Sequence, residues 1–108
     1  MNETEFNESA QRALDAITRA LEASGVDCDF ESKGDGLLEL EFPNGSKIIV
    51  NRHGPAREIW VAAKSGGYHF HYDGGRWLNT RDGAELFASL SRYVSEQSGS
   101  PVVLGSRT

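Results

Sequence analysis

Asn44–Phe70, NGSKIIVNRHGPAREIWVAAKSGGYHF, is the stretch from which the fold of this chain can be read. Asn44-Gly45 predicts a type I′ hairpin, because both central positions of that turn need positive φ. Lys47–Arg52 returns from the turn as a strand, and Gly54-Pro55 interrupts the extended run. Glu58–Lys64 and Tyr68–Tyr72 then form two further strands around a Gly66-Gly67 turn. On Glu58–Lys64 the alternation gives Ile59 and Val61 to the core and turns Trp60 and Lys64 outward. A large aromatic on a wet sheet face anchors a partner more readily than it packs a core.

Working outward, the pattern changes to helix at both ends. Asn2 and Glu5 have the spacing of a capping box. Behind them Phe6, Ala10, Ala13, Leu14, Ile17, Ala20 and Leu21 recur at steps of three and four, up to a stop at Gly25. Val26, Cys28 and Phe30 alternate with Asp27, Asp29 and Glu31, which predicts a strand with one wet, acidic face. Leu38, Leu40 and Phe42 alternate with Glu39 and Glu41 in the same way. Downstream, Gly74-Gly75 predicts a turn into a short strand that places Trp77 in the core. Asp82 and Glu85 predict a second capping box, followed by a helix that buries Leu86, Phe87, Leu90, Tyr93 and Val94 and ends at Gly99. Pro101–Leu104 is apolar and is expected to pack on the helices, with fraying beyond it. Helix, antiparallel meander, helix implies an α+β two-layer sandwich, with both helices on one face of the sheet and the other face open to water. One domain is expected over 1–108, with a core over 2–104 and a C-terminal tail over 105–108.

Composition narrows the function. The chain has 108 residues, a formal net charge of −5 and a single cysteine. Cys28 alone excludes an intrachain disulfide. No basic segment followed by an apolar run opens the sequence, and no apolar run approaches the ~18 residues of a membrane span, so a soluble, cytoplasmic protein is expected; separately, an acidic monomer is expected. Charge divides unevenly: residues 1–46 carry a net −8 and residues 47–108 a net +3. Such asymmetry favours an acidic surface that attracts cations or a basic partner, and disfavours nucleic acid.

Three groups of side chains could carry chemistry. Glu8, Asp15 and Glu22 are spaced by seven and line one stripe of the first helix; Asp27, Asp29 and Glu31 share the wet face of the next strand. Carboxylates suit hard cations. Neighbours two apart on a strand lie about 6–7 Å from each other, so a site here is shallow, shared and completed by water. On the sequence pattern alone the same acids read first as a solvated face, with Glu8–Arg12 and Asp15–Arg19 as surface pairs. His69 and His71 share one strand face and supply two metal ligands; a third has to come from His53 or a carboxylate. Otherwise they are exposed sheet histidines, with His69 near Trp60. Cys28 falls on the apolar phase of its strand, between two aspartates that disfavour a reactive thiolate.

The order of the Asn44–Phe70 elements resembles the frataxin family, its small bacterial members in particular. Asn2-x-x-Glu5-Phe6 at the start, and Trp77 followed by Arg81-Asp82-Gly83 and an amphipathic segment at the end, extend the resemblance over residues 2–99. It implies a non-enzymatic protein that binds ferrous or ferric iron weakly on an acidic ridge and modulates iron–sulfur cluster assembly. The ridge carries over onto Asp15, Glu22, Asp27, Asp29 and Glu31. Asn51, Trp60 and His69, with Lys64 turned outward beside them, match positions by which frataxins meet the cysteine desulfurase and scaffold protein. Thr18, Arg19 and Ala23 stand where the bacterial pattern is rich in acids, so the resemblance implies fewer and weaker iron sites here. A metal-dependent, ferroxidase-like enzyme and a generic interaction module built on Trp60 are the alternatives.

Overall fold

The computed structural model describes residues 1–105. The expected fraying of the tail beyond Gly105 lies outside the described residues. Along the chain come α1 (Glu3–Ser24), β1 (Asp29–Ser32), β2 (Leu37–Glu41), β3 (Lys47–His53), β4 (Glu58–Ala63), β5 (Gly66–Asp73), β6 (Arg76–Asn79) and α2 (Leu86–Ser98). Each strand pairs antiparallel with the next, giving one six-stranded meander in the order β1-β2-β3-β4-β5-β6. The two-layer α+β sandwich is therefore observed as the hydrophobic periods predict.

One face of that sheet is dry. Leu38, Leu40, Ile48, Val50, Ile59, Val61 and Phe70 are each at most 1% exposed and lie in one cluster with the apolar stripes of α1 and α2. Burying each such side chain contributes about 1.5–3 kcal/mol. Trp77 belongs to this core as expected, with its ring edge-on to Phe6 at 6.0 Å and to Tyr72 at 5.1 Å. The alternate positions on every strand turn to water. The tail also packs as expected: Leu104 is buried, its N–H donates to Ser91 Oγ, and Ser95 Oγ bonds both the N–H and the carbonyl of Val102.

The capping box at Asn2 and Glu5 is present in both directions. The one at Asp82 is not. Glu85 itself caps α2, accepting from Phe87 N at 2.9 Å and Ala88 N at 3.0 Å. Asp82 instead accepts from Ala84 N in the preceding loop. A single bridge from Leu78 to Glu85 holds Glu85 extended, so the helix cannot begin earlier.

The hairpins depart from expectation at two turns. Asn44 does not take positive φ; only Arg57 does so among non-glycine residues described. Pro43 fixes its own φ near −65°, so the turn runs Phe42–Gly45, closed by Gly45 N to Phe42 O at 2.8 Å, with left-handed Gly45 as a bulge residue. Asn44 Oδ1 accepts from Ser46 N and Ser46 Oγ. Between β4 and β5 the turn is Lys64-Ser65, and Gly66 and Gly67 are the first residues of β5, paired with Ala63 and Ala62. Gln97 is the reason: its Oε1 accepts from Lys64 N at 2.9 Å and pins the turn there. Gly74-Gly75 is the true type I′ turn, at φ of 61° and 89°.

Gly36 closes the β1–β2 loop at φ 76°, and a Cβ on it would stand 2.9 Å from Arg52 Cβ. Its carbonyl accepts from Arg52 N at 2.7 Å, so the loop cannot retreat without losing that bond. Gly36→Ala is expected to cost about 1–3 kcal/mol, seen as a lower urea midpoint at unchanged m.

Candidate functional site

The acidic side chains gather at the β1 edge. β1 starts at Asp29, not at Val26, because the chain bends at Asp27 with Cys28 N bonded to Val26 O. Asp27 thus leaves the strand face where the alternation had put it. It still lines, with Asp29 and Glu41, a shallow recess beside Cys28 and the Phe42–Gly45 turn. On the open face the pairing sets Asp29 directly opposite Glu41 and Glu31 directly opposite Glu39. Like charges placed so repel, a tension that a cation relieves, as Lys33 does between Glu31 and Glu39. Glu39 and Glu41 were not singled out as site residues, although their alternation and a short β1–β2 loop were both in the sequence. What was missing was the register.

Glu39 is already neutralised. Lys33 Nζ forms a close ion pair with it and Lys47 Nζ approaches to 3.3 Å, while Glu31 is 4.0 Å from Lys33. Hydrogen bonds from Lys33 and Lys47 hold the Glu39 carboxyl below its usual pKa, and the Glu39 bond raises that of Lys33. A depressed carboxyl pKa stabilises the fold above the unfolded-state pKa, and the contribution disappears as pH falls through the folded one. Glu39→Gln should therefore lower stability at pH 7 and leave it nearly unchanged at pH 3, as urea titrations at the two pH values would read. Asp27, Asp29 and Glu41 form no ion pair among the described residues.

The helix acids lie apart from both recesses. Asp15 and Glu22 are exposed on α1 and line neither this recess nor the shallower one bounded by Asp29, Glu31, Glu39 and Glu41. The Glu8–Arg12 and Asp15–Arg19 pairs do not form: Arg12 donates to Ser9 Oγ and Asp15 accepts from Gln11. No group of three or more His, Cys, Asp or Glu among the described residues is placed so that it could hold a metal ion. Cys28 is half-buried, and burial raises its thiol pKa more than Asp29 and Asp27 do.

The second locus is the open sheet face. Asn51, Trp60 and His69 are direct neighbours in one row across β3, β4 and β5, with Leu37 of β2 at its end. Asn51 therefore lies within a strand. Lys64 is exposed but sits at the hairpin tip, four residues or about 13 Å along the chain from Trp60, and is not part of the row. Trp60 lies between two imidazoles: His53 stacks on one side at 3.7 Å and 8°, His69 on the other at 4.4 Å and 12°. Its Nε1 donates to Glu58 Oε1 at 2.8 Å, and His69 Nδ1 lies 3.8 Å from the same oxygen. The loop that spaces His53 from Glu58 is closed by Arg57, left-handed at φ 55°, whose N and Nη1 both donate to Gly54 O. His53 and Glu58 are the residues of this face that the sequence did not single out as partner-binding. His71 shares the face of His69 and stands opposite Glu58.

No described helix is long and apolar enough to cross a membrane. A family model of the frataxin-like domain matches residues 1–100. The iron-sulfur cluster assembly protein CyaY of Dechloromonas aromatica is 54% identical over 104 residues, covering 96% of this chain and 99% of that one. The CyaY of Janthinobacterium sp. is 56% identical, with 96% of each chain covered. Among solved structures, frataxin from Psychromonas ingrahamii superposes with a TM-score of 0.90 at 35% identity, covering 97% of this chain and 99% of that one. A trimeric yeast frataxin complexed with ferrous iron gives 0.66 at 26% identity, covering 92% and 88%. This chain belongs to the frataxin family and groups with its bacterial CyaY members.

Proposed function

We propose that this chain is an iron–sulfur cluster assembly protein that holds iron weakly at the β1–β2 edge and docks on the cysteine desulfurase and scaffold protein. The observation that carries the iron assignment is the convergence of Asp27, Asp29 and Glu41 on one recess without a cation partner, beside a Glu39 already neutralised. The name of the relatives supports the process, and the ferrous complex of a yeast frataxin supports the cargo. The same charge steers the basic surface of the desulfurase, while the Trp60 row meets the scaffold. Acids along edge strand β1 oppose edge-to-edge pairing, which favours a monomer. A cytoplasmic location fits this role.

Anaerobic titration with ferrous iron, followed by amide NMR, tests the metal assignment. Broadening should be confined to residues 27–31 and 39–42 and should vanish in Asp29→Asn/Glu41→Gln. Broadening centred on His69 and His71 would move the metal to the sheet and favour an enzyme. No broadening at either place would remove iron from the function.

A further inference from the structure

We infer that His53 is a positioning residue for Trp60: with His69 it clamps the indole between two imidazoles, so that the partner meets the indole's outer edge and not its faces. This deepens the docking role proposed above and rests on it.

Both broad faces of Trp60 are covered, at 3.7 Å by His53 and 4.4 Å by His69, with interplanar angles of 8° and 12°. Its only polar atom is spent on Glu58. The clamp is built from three strands: β3 ends on His53, β4 carries Trp60 and Glu58, and β5 carries His69. The outer imidazole is itself held, since His53 Nδ1 accepts from Ala56 N at 3.3 Å, which leaves the ring proton on Nε2. The turn that makes this bond possible contains the one left-handed non-glycine residue described, Arg57.

Nothing in the core needs this stack. It stands on the wet face of the sheet, where the His69 side chain is 49% exposed, and the helices cover the opposite face. A tryptophan on an open sheet would otherwise exchange rotamers and lose that freedom on binding; a clamped one has lost it already. Covering the faces also selects the contact. A partner arginine or lysine has no free indole face to lie on, whereas the ring edge, the positive part of its quadrupole, suits backbone carbonyls or the face of another aromatic ring.

The test follows the Trp60 indole N–H by ¹⁵N relaxation in the full chain, with the buried Trp77 indole as internal control. Affinity for the cysteine desulfurase–scaffold complex is measured on the same proteins. Trp60 should be as rigid as the strand backbone. His53→Ala should loosen Trp60 but not Trp77 and weaken binding about tenfold; His53→Phe, which keeps a ring on the indole, should restore both. An indole that is mobile in the native chain, or unmoved in His53→Ala, overturns the clamp. Loosening without loss of affinity, while Trp60→Ala does abolish binding, overturns the positioning role and leaves the docking face intact. If Trp60→Ala binds normally, the docking face itself is wrong and the positioning role falls with it.

Discussion

Asp27→Lys/Asp29→Lys is expected to weaken binding to the cysteine desulfurase on the order of 10²-fold at low salt while the fold stays intact. Two carboxylates without cation partners, lining the recess with Glu41, are converted into cations. The deficit should shrink as ionic strength rises beyond ~0.1 M, because the lost term is a screened, long-range one. Stability should hold or rise slightly. Asp29 faces Glu41 directly, so a lysine there replaces a repulsive cross-strand pair by an attractive one, worth a few tenths of a kcal/mol. Glu22→Lys serves as the comparison. Glu22 is exposed on α1 and lines neither recess, so its reversal should weaken binding only severalfold. Biosensor titrations across a salt series, paired with urea melts, separate these terms. Unchanged affinity in the double variant would sink the acidic edge as the desulfurase surface.

Gln97→Met should be the most destabilising single change outside the apolar core, at roughly 2–3 kcal/mol. Gln97 is 6% exposed on the last turn of α2. Its Nε2 donates to Ser46 Oγ at 3.0 Å and to Lys47 O at 3.1 Å, and its Oε1 accepts from Lys64 N. Its own carbonyl accepts from Asn44 Nδ2. One side chain thus ties the helix to two hairpin turns at the same end of the sheet. Methionine keeps the length and volume but offers no comparable donor or acceptor, so the loss reports hydrogen bonds and not a cavity. A Tm lowered by about 10 °C, with iron and partner binding retained below the transition, is the expected result. A drop under about 2 °C would mean that water satisfies the freed groups.

Both loci of the candidate site were partly readable. Trp60 and His69 followed from period two alone, because Ile59, Val61 and Phe70 claim the other face. His53 did not, since its approach to Trp60 depends on a four-residue loop with a left-handed Arg57 that no turn rule predicts at that residue. Asp29 and Glu31 likewise followed from alternation, whereas Glu39 and Glu41 join them only once β1 and β2 are in register. Asp15 and Glu22 share a helix stripe with Glu8, yet neither lines the recesses that the strand acids form.

The sequence by itself determined which segments are helix and strand, which face of each is dry, and hence the two-layer sandwich. Those are properties of short-range periodicity: burying one face of every segment admits few arrangements. Only the tertiary structure decided where each turn closes, which residue caps α2, which carboxylate is neutralised and which is left free. Apart from the Phe42–Gly45 turn, which Pro43 sets locally, these depend on contacts between different elements, such as Gln97 on Lys64, Lys47 on Glu39 or Leu78 on Glu85. Local propensity is worth tenths of a kcal/mol per residue, and a single part-buried hydrogen bond such as that from Lys64 N to Gln97 outweighs it.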